Sequence, residues 1–475
     1  MQVEDLQRRI AIARAAIERN AEPSRRKAVG KTSAFWADFF SLRHVIYPDL
    51  NALMVCRRED TLVGSGDNPQ GSLEKERAYC ARVHHTFKGM VNEGIEKLPE
   101  SAFGSPLVFE HGGVSRSANF WINAVTTSRT VDFARQFGKK GPLRILEIGP
   151  GWGMCVYQLH NVLDVESYTL LDLPENLYVS MLHLGTVLPE RSIEFIDVDG
   201  EVLNSIKPGS ISACLPGAID RIKAKFDLVL NSFSMQEMDL DSVREYIDWI
   251  ESVLAPDGIF VSLNSHGKTD LTKPSDYRYE KFHIHHWGVH RRVPGGFFNT
   301  IPYEVVVGPR RETTPQYPPE YQDAIGRLMR FGLDAELKEY CDALVAGDIR
   351  PTQHDILTGY NDVLTSNSDD ERSRKLQALK AKDGSAIWPL IAGSLALARG
   401  DKAKAAALLE QSIKQGLSGF ALVRARAYLA ALNKSKLEPI DGFDPVFAYP
   451  DTKQMVETGD LNVAIVHIRR AFGQE

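Results

Sequence analysis

Apolar positions along the chain fall into three regimes. Over residues 1–100 they recur at helical spacing: Leu6, Ile10, Ala13 and Ile17 share one face, with Arg8, Arg9 and Glu18 elsewhere. The polar, basic, Gly/Pro-containing stretch 21–31 predicts a linker, and Gly64–Ser72 a loop. Over 101–310, helical stretches alternate with short apolar runs at Leu143–Ile148, Ser167–Leu173, Ser192–Val198, Phe226–Phe233 and Gly258–Ser265. Leu177, Met181 and Leu184 mark one intervening helix; Val243, Tyr246, Ile247, Ile250, Val253 and Leu254 mark another. Strands alternating with helices of this size predict a parallel, doubly wound α/β sheet. The stretch 199–225 reads as an insertion with a short helix near Pro216–Ala224, and Phe297–Ile301 with Tyr303–Gly308 as closing antiparallel strands. Beyond the Pro/Thr-rich stretch Arg311–Pro319 the pattern is helical and alanine-rich, with Gly-Asp pairs at 347–348, 400–401 and 459–460.

Three regions follow: an N-terminal helical segment (1–100), an α/β domain (101–310) and an all-α domain (311–475). Composition changes this picture little. The 475 residues are 43% apolar and 25% charged, with a net charge of −6. That balance points away from nucleic acid and from anionic membranes. No apolar run is long enough to span a membrane, and the five scattered cysteines lack a C-x-x-C pair. They read as reduced thiols, which favours a cytoplasmic location.

The candidate chemistry concentrates at Arg144–Leu159, RILEIGPGWGMCVYQL. A strand ending in Gly149, Gly151 and Gly153 and followed at once by a helix brings backbone N–H groups up to a ligand. The dinucleotide pattern G-x-G-x-x-G needs glycine at position 154, which is Met154, and no G-x-x-x-x-G-K-[ST] is present. Glu147 at the strand's end suits a cationic ligand better than a pyrophosphate. Asp172, about twenty positions on, closes the next strand and is placed to accept ribose hydroxyls, a reading favoured over a mere cap on the helix begun by Pro174. In an open parallel sheet, ligands lie outside the carboxyl ends of the strands. That rule adds Asp197 after the third strand run, Asn231, Ser232 and Ser234 at the end of the fourth with Glu237 just beyond, and Asn264, Ser265 and His266 at the fifth.

E-x-G-P-G-x-G resembles motif I of the class I S-adenosylmethionine-dependent methyltransferases, whose sheet is Rossmann-like. LEIGPGWG (146–153), LLDLPENL (170–177), FDLVLNSFSMQEM (226–238) and FFNTIPYEVV (297–306) together resemble the sugar O-methyltransferase family of bacterial polysaccharide and antibiotic pathways. The resemblance implies S-adenosylmethionine as cofactor, a sugar or glycan-like hydroxyl as acceptor, and cofactor contacts at Glu147, Gly149, Gly151, Gly153, Asp172, Asp197 and Asn231. His266 and Glu237 are the candidates for the base that a weakly nucleophilic hydroxyl needs. Ser33–Leu42, dense in aromatics, reads as a core helix or as a lid over the acceptor. HIHHWGVH (283–290) reads as a flap rather than a metal site, because alternate rings of an extended segment point to opposite faces. Residues 387–413 resemble a tetratricopeptide repeat, which would give the helical domain a protein partner or leave it a packing appendage. Two rivals remain: methylation of another small molecule or a protein, and a non-catalytic scaffold that binds partners through its helices.

Overall fold

The computed structural model describes residues 3–27, 53–59, 73–265, 271–290, 302–314, 317–435 and 460–471. The chain forms two compact units. The first comprises Met1–Thr272 with Lys281–His283 and Val305–Arg311; the second comprises Lys273–Glu280, Ile284–Glu304 and Glu312–Glu475. The aromatic stretch 33–42 and the strand expected at 297–301 lie outside the described residues.

In the first unit the N-terminal helix α1 (Val3–Arg26) runs through most of the expected linker and carries Pro23 within it. Short helix α2 (Cys56–Glu59), helix α3 (Leu73–Phe87) and the single turn α4 (Glu93–Glu96) follow. A small hairpin of β1 (Phe109–His111) and β2 (Val114–Arg116) leads to α5 (Ala118–Gln136). The α5 start is set by Ser117, whose hydroxyl accepts the Phe120 N–H at 3.0 Å. The α/β core then runs β3 (Leu143–Ile148), α6 (Met154–Val162), β4 (Val165–Leu171), α7 (Pro174–Val187), β5 (Ser192–Ile196), β6 (Ser210–Cys214), β7 (Phe226–Ser232), α8 (Leu240–Val253) and β8 (Leu254–Asn264). Pro174 supplies the first residue of α7, where a missing N–H costs nothing.

The sheet order is β5-β6-β4-β3-β7-β8, extended by β10 (Tyr303–Gly308) and β9 (His283–Val289). The pairs β3–β4, β3–β7, β4–β6, β5–β6 and β7–β8 are parallel. The chain winds outward from β3 through β4, then returns to β7 on the other side of β3. That reversal makes the switch point between β3 and β7, where a crevice opens outside the strand ends.

Two expectations need correction. The third strand of the core is not Ser192–Val198: β6, inside the stretch read as an insertion, lies between β4 and that run, which becomes the edge strand β5. S-I-S-A-C is short, lacks alternation and is buried throughout, so it carries no period-2 signal. The 283–290 flap is the strand β9, whose His290 N–H donates to the Pro302 carbonyl at 2.9 Å.

The second unit is helical: α9 (Pro319–Arg330), α10 (Lys338–Ala346), α11 (Pro351–Thr365), α12 (Asp369–Lys380), α13 (Ile387–Ala398), α14 (Lys402–Lys414), α15 (Gly419–Asn433) and α16 (Leu461–Ala471). Gly-Asp works as punctuation. Gly400 takes φ of +81° after α13, and Asp401 accepts the Lys404 N–H at 3.2 Å to start α14. A Cβ on Gly393 would lie 3.0 Å from Leu409, so α13 and α14 meet closely there. Every residue of α13 is buried, and α12, α14 and α16 pack around it. Of the stretch that the sequence places in the sheet domain, residues 273–280, 284–290 and 302–304 pack within this unit: Asp323 accepts the Ser275 N–H at 2.8 Å and its hydroxyl at 2.9 Å.

Candidate active site

The loop after β3 is built for close approach. Gly149, Gly151 and Gly153 all have positive φ, at +74°, +57° and +87°. A Cβ on Gly149 would fall 2.2 Å from the Ser234 hydroxyl, and one on Gly153 3.1 Å from Leu184. Both space and backbone therefore demand glycine at these two positions. Gly153 is also the N-cap of α6, with no side chain to occupy the first-turn N–H groups.

The two acidic residues predicted beside the loop flank it. Asp172 holds the loop directly: its Oδ2 accepts the Gly151 N–H at 3.1 Å, and its Oδ1 accepts Leu173 N–H at 2.7 Å and Asn176 Nδ2–H at 2.9 Å. Burial still pushes its carboxyl up to about 7, against those hydrogen bonds. Glu147 is 1% exposed and accepts the Tyr168 hydroxyl at 2.7 Å. Burial first, then the Asp172 charge, pushes it up to about 7 as well, with the Tyr168 bond opposing. Two desolvated carboxyls with no ion pair among the described residues make a site that a positive charge would suit.

Asn231 ties strand ends together instead of standing open. It is fully buried; its Nδ2 donates to the Ile148 carbonyl at 2.7 Å and to the Ser234 hydroxyl, and its Oδ1 accepts Met235 N–H at 3.2 Å and Asn264 Nδ2–H at 2.8 Å. The ends of β3, β7 and β8 are thereby clamped around the switch point. Between Asn231 and Ser234, Phe233 adopts φ of +62°, an uncommon conformation for a bulky residue and one that concentrates at functional sites. Glu237 follows on a 3₁₀ turn, Met235–Glu237, and is 5% exposed. His266 lies outside the described residues.

Asp197 follows the edge strand β5, one strand further out than the sequence suggests. Its Oδ1 accepts Arg19 Nη2–H at 2.9 Å and Asn20 Nδ2–H at 2.6 Å, and Asn20 in turn accepts the Val198 N–H at 2.7 Å. Burial alone would raise its pKa, but Asn20 and Arg19 hold it below the usual range. Asp197 thus anchors α1. The position beside the end of β4 belongs to the loop after β6, where Gly217 N–H donates to the Ser24 hydroxyl at 2.9 Å.

On the helical side, Cys155 in the first turn of α6 donates to Asn123 Oδ1 at 3.3 Å, which places the first turns of α5 at the ligand end of the sheet. Trp121, also in those turns, meets the His84 ring at 4.8 Å, and His84 stacks on His111 at 5.5 Å. Tyr168 was not legible as a site residue, because it acts across strands and no linear spacing marks it, whereas Ser234 and Asn264 were placed at the strand ends by sequence but not as partners of Asn231. In the second unit His290, just past β9, has Nδ1 2.8 Å from Glu304 Oε1, and His286 of β9 has Nε2 3.5 Å from Oε2. Among the described residues, no group of three or more His, Cys, Asp or Glu could hold a metal ion, and no helix is long and apolar enough to cross a membrane.

No protein-family model and no curated protein matches the chain. Solved structures resemble part of it. One is magnesium protoporphyrin IX methyltransferase from Synechocystis with bound S-adenosylmethionine, at 13% identity and a TM-score of 0.29, over 38% of this chain and 78% of that one. Another is TehB from Haemophilus influenzae, at 11% identity and a TM-score of 0.29, over 38% and 62%. A third is TrmN from Thermus thermophilus, at 15% identity and a TM-score of 0.28, over 39% and 49%. The α/β Rossmann-like assignment rests on the strand order and the parallel pairings of the sheet itself.

Proposed function

We propose that the first unit is an S-adenosylmethionine-dependent methyltransferase acting on a hydroxyl of a sugar or glycan. The observation that carries this reading is the left-handed glycine loop fastened through Gly151 to Asp172, with the buried Glu147 behind it. The residues fit the cofactor: a Cβ on Gly149 would fill the cradle, and the two carboxyls with raised pKa favour a ligand bearing positive charge. When bound, the cofactor supplies a methyl group already activated on a sulfonium, so the protein's task is alignment and desolvation.

In this reading Asp172 accepts ribose hydroxyls while keeping Gly151 in place, and Glu147 balances the cofactor's charge from beneath the loop. The Asn231–Ser234–Asn264 clamp fixes the floor on which the acceptor hydroxyl rests. Glu237, directly past β7, takes the hydroxyl's proton, with His266 the other candidate on sequence grounds. The His84, His111 and Trp121 group offers rings and ring nitrogens suited to a polyhydroxylated acceptor.

Calorimetry with S-adenosylhomocysteine tests the cofactor; NAD binding with no response to S-adenosylhomocysteine would overturn it. Incubation with methyl-labelled S-adenosylmethionine and a panel of sugars, nucleotide sugars and glycans tests the acceptor. Glu237→Gln should lower turnover by ~10²-fold while sparing cofactor affinity. The helical unit is a candidate surface for a protein partner, which a pull-down by the full chain would reveal.

A further inference from the structure

Trp152 sits in the middle of the glycine loop, between Gly151 and Gly153, and is 3% exposed. Its indole meets two nitrogen-bearing side chains. The Arg57 guanidinium lies over the ring, with Cζ 4.0 Å from the centroid. The His183 ring lies 4.5 Å from the indole, tilted by 49°, with Nδ1 3.0 Å from the Trp152 carbonyl. That carbonyl can only accept, so Nδ1 carries the proton. Burial first, and the Arg57 charge second, push His183 down to about 3, which keeps it neutral.

Arg57 comes from α2, far from the loop in sequence. It is fully buried and saturated with partners: Glu100 Oε1 at 3.0 Å, the Ser101 carbonyl at 2.9 Å and the Ser117 hydroxyl at 3.2 Å. The other Glu100 oxygen accepts the Ser117 N–H at 2.9 Å, so the same carboxylate holds the start of α5. The Arg57 N–H also donates to the Gly104 carbonyl, and a Cβ on Gly104 would fall 2.7 Å from Arg57 Cγ. This investment in a buried cation is unusual, since an apolar residue would pack there at lower desolvation cost. A guanidinium does two things that such a residue cannot: it engages Glu100 and sets a cation over an indole face.

We infer that Arg57 is a positioning residue for the cofactor loop, and that α2 and the loop order one another through the Arg57–Trp152–His183 stack. The inference rests on the methyltransferase reading for the identity of the ligand, but not for the coupling itself. By linkage, cofactor that fixes Trp152 also fixes α2, and loosening α2 weakens the cofactor.

The test uses the full chain. Arg57→Lys keeps the charge and loses the fork that reaches Glu100, Ser101 and Ser117 from over the indole; Arg57→Met with Glu100→Gln removes both charges so that neither is left buried alone. Both are expected to lower S-adenosylhomocysteine affinity at least tenfold. Both should also speed hydrogen exchange at Gly149–Gly153 while β3 and β7 keep their protection. In the wild type, S-adenosylhomocysteine should slow exchange at residues 53–59. Arg57→Ala should regain affinity with millimolar ethylguanidinium, which a merely structural loss would not allow. Should one variant fail to fold, the other still decides. Folded variants with affinity and loop exchange within twofold of wild type would overturn the inference. Failure of the wild type to bind S-adenosylhomocysteine would instead overturn the methyltransferase reading, and loop exchange in the variants would still judge the coupling.

Discussion

The two ends of strand β3 carry charge in opposite ways. At its N-terminal end Arg144 pairs with Asp227, Nε at 2.9 Å and Nη2 at 2.8 Å, and the Arg144 N–H adds a third bond at 3.0 Å. Burial would raise Asp227, but these bonds hold it below the usual carboxylate range. Three residues on, Glu147 has a neutral phenol for a partner and a pKa pushed up to about 7. A cavity of about 330 Å³ lies at the first end, lined by Lys139, Arg144, Asp227 and Asp257. Lys139 and Asp257 pair within it at 3.4 Å. A cavity by itself does not mark the ligand end. Electrostatics separates them: one end is internally neutralised, and the other holds carboxyls that burial raises to about 7, as the proposed cationic ligand would favour.

The sharpest break of this comparison is Gly149→Ala. Its Cβ meets Ser234 and its φ is left-handed, so cofactor affinity should fall by about 100-fold or more in calorimetry. Asp172→Ala should cost ~1.5–3 kcal/mol of binding through loss of a charged acceptor. Next comes stability. Glu147 and Asp172 have folded pKa values above their unfolded ones, so each favours the native state below pH ~4 and loses that contribution as pH rises through about 7. Glu147→Gln should therefore stabilise the ligand-free protein at pH 8 by about 1–3 kcal/mol in urea unfolding. Wild-type affinity for S-adenosylmethionine should fall as pH drops from 8 to 6, by up to about tenfold per unit for each carboxyl that must release a proton. The smallest effect belongs to the other end. Asp227 is depressed, so its contribution is present above its unfolded pKa and is lost as pH falls through the lower folded value. Asp227→Asn should cost about 1 kcal/mol at pH 7, discounted for the partial exposure of Arg144, with cofactor affinity unchanged. A shift in affinity there would break the comparison.

What the sequence made legible follows from locality. Gly149, Gly151, Gly153 and Asp172 could be found because a tight turn and a strand-closing acid are written in adjacent residues. Gly400 and Asp401 were legible for the same reason, as a helix stop and a helix start. Asn231 was visible at a strand end, but its role as a clamp needs the ends of β3, β7 and β8 to converge, which no spacing records. Asp197 was displaced because β6 hides inside a Pro/Gly-bearing stretch without alternation and takes the place beside β4. The Arg57–Trp152 stack joins residues 95 positions apart, and an arginine in a C-R-R-E stretch reads as ordinary surface charge.

The helix α13 has a consequence for how the chain comes into being. All twelve of its residues are buried, and its covers α14 and α16 both lie downstream of it. During synthesis it leaves the ribosome before them, with more than sixty residues still to be added before the start of α16 at Leu461. At ordinary elongation rates that interval lasts seconds, far longer than a helix needs to form. Through that interval the face of α13 that α16 covers waits without it, and only α12 and α14 can shield the cylinder.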